Sequence, residues 1–332
     1  MKIFESTLRD GEQAAFIYLT PAQKASIAAS LEALGVDVID AGFPIASQRD
    51  WEGARAIADA TEEVELSVLA RHCPKDIDAA WEAVRDHIAR ARLATWVMPY
   101  ELYSRHQNDP QIHRRIIESS RKAVRHGHSL FPIVQYYIVY SGNRDRNFLI
   151  DLAREVAYAG ADCVAIADSQ STMNPEQIAS LTRDIRVALP AEVELSVHCH
   201  NNMGLALSNS VAAINAGADQ VEVTVGGMGD AGGDASLEQV LGYADYFEKQ
   251  NPQFANQCRL DRLYEIAAEL SQLTGFQYGS NQPFVGPDAY AVDTGIHHSL
   301  TRNIQGSTFD PSRIGRQQNF VVGRNSGVAG IG

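Results

Sequence analysis

Short apolar runs alternate with amphipathic stretches from the first residues to about Lys249, the pattern of parallel strands joined by crossover helices. Strands are expected to begin near Lys2, Val36, Val64, Leu93, Phe131, Cys163, Glu194 and Gln220. Each precedes a segment of helical period, such as Pro21 to Leu34 or Pro175 to Leu189. Thr20 and Asn174 suit the N-cap positions before those prolines. Eight such units in roughly 250 residues match a closed (β/α)8 barrel, an α/β fold whose chemistry sits at the C-terminal ends of the strands. Past Asn251-Pro252 the pattern changes. One helix-like stretch, Leu260 to Thr274, leads into a Gly- and Pro-rich segment and then Gly295-Ile296-His297-His298. The expected division is a barrel over 1–250 and a small C-terminal lid subdomain over 251–332.

Polar residues fall where a barrel mouth would place them. Arg9, Asp10 and Gln13 follow the first strand, Asp40 ends the second, and Arg71 and His72 follow the third. Asp168 and Ser169 end the sixth, and His198 and His200 end the seventh. Two histidines at i and i+2 on a strand share a face, and an aspartate ending an early strand can meet them there. Asp10, His198 and His200 thus offer one carboxylate and two imidazoles. Such a set suits Zn, Mn, Fe or Co, and Mg less well because two donors are nitrogen. The plainer alternative is a salt-bridged Asp10 beside two core histidines; paired spacing at a barrel mouth favours the metal. Asp234 is either a fourth ligand or a helix N-cap. Arg9 either stabilises developing negative charge on a substrate oxygen or pairs with Glu5, Glu12 or Asp40.

Gly227-Met228-Gly229-Asp230-Ala231-Gly232 formally matches a dinucleotide-binding turn. That fingerprint belongs to the first turn of a doubly wound sheet, however, and this one ends an eight-unit array. Its backbone amides are expected to cradle a phosphate or carboxylate instead. Cys199 alternates away from the histidines and should be an inert thiol facing the helices.

With 332 residues, 45% of them hydrophobic, the chain can bury a sizeable core. A net charge of −13 argues against nucleic acid or an anionic membrane surface as partner. Basic residues from Arg114 to Arg125 read as a solvated helix face. Cys73, Cys163, Cys199 and Cys258 lack C-x-x-C spacing, so neither a disulfide framework nor a zinc ribbon is indicated, and a reducing cytoplasm is the expected location. No apolar run approaches the ~18 residues of a membrane span.

Thr7-Leu8-Arg9-Asp10-Gly11-Glu12-Gln13 and His198-Cys199-His200-Asn201-Asn202-Met203-Gly204-Leu205-Ala206 resemble the two strongest motifs of the metal-dependent barrel synthases and lyases. That family includes homocitrate synthase, 2-isopropylmalate synthase and hydroxymethylglutaryl-CoA lyase. The likeness extends to Leu69-Ala70-Arg71, Lys75 to Asp78, Gly295-Ile296-His297 and a tail from Phe309 to Gly327, which is most similar to homocitrate synthase. The resemblance implies a Claisen condensation of acetyl-CoA with a 2-oxo acid, followed by thioester hydrolysis. It implies divalent metal on Asp10, His198 and His200, Arg9 at the polarised oxygen, and His297 in acid–base chemistry. Gln13, Asp40, Arg71, His72, Tyr100 and Ser169 would line the 2-oxo acid pocket. A homodimer with exchanged lids, in which His297 completes the neighbouring site, is also implied.

The chain departs from that pattern. The family's G-E-R-A-G-N is Gly229-Asp230-Ala231-Gly232-Gly233-Asp234, which loses an arginine and replaces the usual asparagine ligand by Asp234. E-D-A-x-R becomes Val139-Tyr140-Ser141-Gly142-Asn143, a small hydroxyl residue becomes Tyr100, and His-Glu before G-I-H becomes Val292-Asp293. Condensation on an acceptor other than 2-oxoglutarate is expected, for example a phosphonate-bearing 2-oxo acid. A lyase running C–C cleavage and a degraded binding subunit are the alternatives. No stretch matches the regulatory domain of 2-isopropylmalate synthase, so feedback by leucine through such a domain is not expected.

Overall fold

The computed structural model describes residues 1–97, 109–294 and 309–326. Eight parallel strands close into a barrel: β1 (Lys2–Glu5), β2 (Val38–Asp40), β3 (Glu65–Arg71), β4 (Ala91–Trp96), β5 (Ile133–Ile138), β6 (Cys163–Asp168), β7 (Glu194–Cys199) and β8 (Gln220–Val223). β1 seals it against β8, with Lys2 opposite Gln220 and Glu5 opposite Val223. The crossover helices are α1 (Pro21–Leu34), α2 (Gln48–Ala60), α3 (Pro74–Val84), α4 (Pro110–His128), α5 (Arg146–Ala159), α6 (Pro175–Ala188), α7 (Ala206–Asn215) and α8 (Leu237–Phe247). The strands form as apolar runs because they are covered on both sides: all six residues of β6 are buried.

Helix starts obey local chemistry. Thr20 and Asn174 accept from the amides of Gln23 and Gln177 and receive their side chains in return, two capping boxes with proline in the first turn. Past the barrel, α9 (Leu263–Thr274) lays Leu263, Ile266, Ala267 and Leu270 into the same hydrophobic core as the barrel helices. Ser26 and Ser30 of α1 donate to its Glu269. β9 (Ala291–Val292) and β10 (Asn319–Phe320) form a small parallel pair. Among the described residues, no helix is long and apolar enough to cross a membrane. The basic face of α4 is solvated, as expected, with Arg114, Lys122 and Arg125 exposed.

Glu5 ends β1 fully buried and accepts from both the amide and the hydroxyl of Thr7. Burial dominates, pushing its pKa up to about 8 from an ordinary 4.5. The folded chain therefore keeps a proton that the unfolded chain releases. Glu5's contribution to stability is complete below about 4.5 and lost as pH rises toward about 8, at about 1.4 kcal/mol per pH unit. Urea titrations of metal-free protein across this range should show a downward slope that is shallower in Glu5→Gln; equal slopes would contradict it.

Candidate active site

The loop after β1 turns back on Ser6, whose carbonyl accepts the amides of Arg9, Asp10 and Gly11, and this turns Arg9 and Asp10 into the barrel mouth. Arg9 bridges two carboxylates: Nε donates to Asp40 Oδ2 and Nη1 to Asp10 Oδ2, both at 2.7 Å. Asp40 also accepts from Ser6 Oγ at 2.9 Å. Both readings of Arg9 thus meet in one place, since it is paired with Asp40 and also lines the cavity. Burial opposes the charge of Arg9, yet Asp10 and Asp40 hold its pKa well above the usual value.

The end of β7 brings in His198 and His200, whose Nε2 atoms lie 3.2 Å apart. His198 Nε2 is 3.4 Å from Asp10 Oδ2, and His200 Nδ1 is 2.8 Å from Asp234 Oδ1. One ligand atom from each of Asp10, His198, His200 and Asp234 falls within a 4.8 Å cluster. Burial pushes the Asp10 carboxyl up, but Arg9 and the two histidines outweigh it and the net pKa is lowered. Asp234 is raised, by burial and then by the like charge of Asp10.

These residues fit a metal ion. Asp10 Oδ1 and Asp234 Oδ2 are buried without a hydrogen-bond partner, a costly arrangement unless a cation satisfies them, and Asp234 Oδ1 faces His200 Nδ1. His198 Nε2, 3.4 Å from Asp10 Oδ2 and 3.2 Å from His200 Nε2, has the spacing of atoms that bind one ion at roughly 2.1 Å. Of the two readings of Asp234, the N-cap fails: Ser236 caps α8 by accepting from Gln239. Asp234 is held instead by a crossover of the chain, its amide on Gly227 O and the carbonyl of Gly233 accepting from Asn201. Gly233 sits at φ +78°, and a Cβ there would lie 1.9 Å from Gly227 O, so only glycine fits.

A cavity of about 470 Å³ opens beside this cluster. Arg9, Asp10, Gln13, Ser169, His198 and His200 line it, and Ser169 Oγ also accepts the amide of Tyr140. One wall is apolar, built by Phe43, Leu69, Trp96, Tyr137, Val139 and Ala167. Sequence reasoning missed most of this wall, although Gln135 and Tyr137 share one face of β5 by simple alternation and Val139 follows its end. Lys24, also at the cavity, is occupied by Glu12 and the carbonyl of Leu8.

One expectation needs correcting. Arg71 and His72 line a different cavity, between the start of α3 and α4, and not the one beside the metal ligands. Arg71 ends seven-residue β3, where it pairs with Asp76 in the first turn of α3 and lies over the ring of Phe43, 5.7 Å from the ring centroid. The glycine-rich turn after β8 spends part of its amides within the fold, and Gly229, Asp230 and Ala231 at its centre line a cavity. The amides of Gly226, Gly227, Met228, Gly232, Gly233 and Asp234 are all spent within the fold, on Glu238, Thr224, Val225, Asn202, Asp230 and Gly227. This turn lines a second cavity of about 610 Å³, which shares Gln13 and Asp230 with the first. Cys199 is buried and its thiol pushed up by burial, an inert position as expected. Asp168 caps its own turn through the amides of Thr172 and Met173. Tyr100 and His297 lie outside the described residues.

An eight-stranded α/β barrel with a candidate metal centre at its C-terminal mouth is the class that fold and site define. The chain belongs to the HMGL-like family, which matches residues 1–268. It is 34% identical over 330 residues to 2-isopropylmalate synthase of Syntrophus aciditrophicus, covering 98% of this chain and 63% of that protein. It is 36% identical over 331 residues to a probable 2-isopropylmalate synthase of Methanopyrus kandleri, covering 98% and 64%. The chain therefore spans less than two thirds of these relatives' length. Among solved structures, hydroxymethylglutaryl-CoA lyase from Pseudomonas aeruginosa superposes with a TM-score of 0.68 over 84% of this chain and 94% of that one, at 21% identity, a likeness of fold alone.

Protein stripped with chelator and reconstituted should take up one divalent ion per chain, read by elemental analysis. His198→Ala plus His200→Ala should abolish uptake; unchanged metal content in that variant would exclude the site.

Proposed function

We propose that this chain catalyses acetyl-CoA-dependent Claisen condensation with a 2-oxo acid, followed by thioester hydrolysis, giving a 2-hydroxy-2-alkyl dicarboxylate. The observation that carries the reading is the cluster of Asp10, His198, His200 and Asp234 with Arg9 beside it, at the mouth of a cavity. Relatives bearing the name 2-isopropylmalate synthase support it. A divalent ion held by the cluster would act as a Lewis acid on the acceptor's ketone. Arg9, fixed by two carboxylates, stabilises charge developing on that oxygen without having to reorganise. The methyl carbon of acetyl-CoA bonds to the ketone carbon after losing a proton, and water then releases coenzyme A.

The acceptor's side chain faces the wall of Phe43, Leu69, Trp96, Tyr137, Val139 and Ala167. No residue of that wall carries positive charge, so it favours an aliphatic or aromatic side chain over the second carboxylate of 2-oxoglutarate or a phosphonate. The second cavity, which shares Gln13 and Asp230 with the first, offers room for the acyl carrier.

Free-thiol release from acetyl-CoA against a panel of 2-oxo acids tests this. Apolar acceptors should exceed 2-oxoglutarate and phosphonopyruvate by roughly 10²-fold in kcat/KM; the reverse order would refute the assignment. Metal-dependent exchange of the acetyl methyl protons with solvent should accompany turnover, and its complete absence would instead mark a binding subunit. The resemblance further supports a homodimer in which His297 serves the partner's site. Coexpressed Asp10→Ala and His297→Ala chains should then recover substantial activity as isolated heterodimers, whereas heterodimers as inactive as either parent would place both residues in one site.

A further inference from the structure

Glu222, in the middle of β8, is fully buried beneath the candidate metal cluster. Its Oε1 accepts from Gln135 Nε2 at 2.8 Å and Ser196 Oγ at 2.9 Å. Its Oε2 accepts from Tyr137 hydroxyl at 2.8 Å and lies 3.1 Å from His198 Nδ1. Four donors thus meet one carboxylate, about as many as its lone pairs can serve. Two of those groups, Ser196 and His198, are alternate residues of β7, and two more, Gln135 and Tyr137, are alternate residues of β5. The strand register sets Glu222 directly opposite His198.

We propose that Glu222 is the positioning residue of the metal centre: it fixes the proton of His198 on Nδ1, presents the Nε2 lone pair to the ion, and through Tyr137 ties the acceptor wall to the same anchor. The argument is one of donors and acceptors. Gln135 Nε2, Ser196 Oγ and the Tyr137 hydroxyl all direct donors at the Glu222 carboxylate, which therefore serves as the acceptor of the group. The facing Nδ1 must then donate, which leaves Nε2 unprotonated in the neutral ring and aimed at Asp10 and His200. Glutamine at 222 keeps the shape but can turn an amide N–H toward Nδ1. Nδ1 then accepts, the ring proton moves to Nε2, and the lone pair the ion needs is gone. Tyr137 couples the two functions: its ring lies edge-on to His198, with centroids 6.5 Å apart, and lines the cavity while its hydroxyl holds Oε2.

The inference rests on the metal centre proposed above but not on the identity of the acceptor, and its test is binding. Mn²⁺ affinity, measured by electron paramagnetic resonance on chelator-treated full-length protein, should fall roughly 10- to 100-fold in Glu222→Gln. Ser196→Ala removes a donor from Oε1 without touching the histidine side, and should bind Mn²⁺ within about threefold of wild type. In zinc-loaded wild-type protein, ¹⁵N NMR of His198 should show metal on Nε2 and a proton on Nδ1, a readout independent of how any variant folds. Wild-type affinity in Glu222→Gln, an equal loss in Ser196→Ala, or zinc on Nδ1 each overturns the role of Glu222. A wild-type chain that binds no ion at all fails instead at the metal centre itself, and takes this inference with it.

Discussion

The arrangement turns on a surplus of buried negative charge. Asp10, Asp40, Glu222 and Asp234 are all buried at one end of the barrel and joined in one network of ion pairs and hydrogen bonds, in which Arg9 pairs directly with Asp10 and Asp40. Uncompensated carboxylates in a low-dielectric interior are costly, and proteins tolerate them where a cation, a proton or a dense set of donors answers each one. Here the answers differ by position. Asp40 takes Arg9 and Ser6, Glu222 takes four donors, and Asp10 and Asp234 keep oxygens with no donor at all. The two left short are two of the four candidate metal ligands.

Below this network the barrel interior remains polar. Arg92, 1% exposed, donates to Gln135 and Gln220, and Gln220 in turn reaches Ser196. The apolar core lies instead between strands and helices, where α1 to α9 pack. This division lets the inner column carry directional bonds that fix side chains at the mouth, while hydrophobic burial outside holds the strands in register.

Much of this was legible in the sequence because two periodicities dominate it. Strand starts fell within two residues of those expected, since parallel strands covered on both faces announce themselves as apolar runs. Capping at Thr20 and Asn174 was readable from local chemistry alone. His198 and His200 were readable because alternation places them on one face. Glu222 was not: a lone glutamate in Gln220-Val221-Glu222-Val223 looks like the solvated side of a strand, and only barrel closure turns it inward beside His198. The fate of Arg71 depended on where β3 ends, which composition does not record. Which amides after β8 are spent within the fold was hidden because glycines advertise conformational freedom and say nothing of which partners use it.

Asp234 in place of a neutral ligand carries a kinetic implication. A doubly charged ion between Asp10 and Asp234 would have its charge cancelled by its own ligands, and the chain around it bears a net charge of −13. In the proposed condensation, an anionic acceptor and a polyphosphorylated carrier would then approach a surface with no long-range pull toward the mouth. Capture would depend on short-range fit once they arrive, and screening by salt would ease the encounter instead of slowing it.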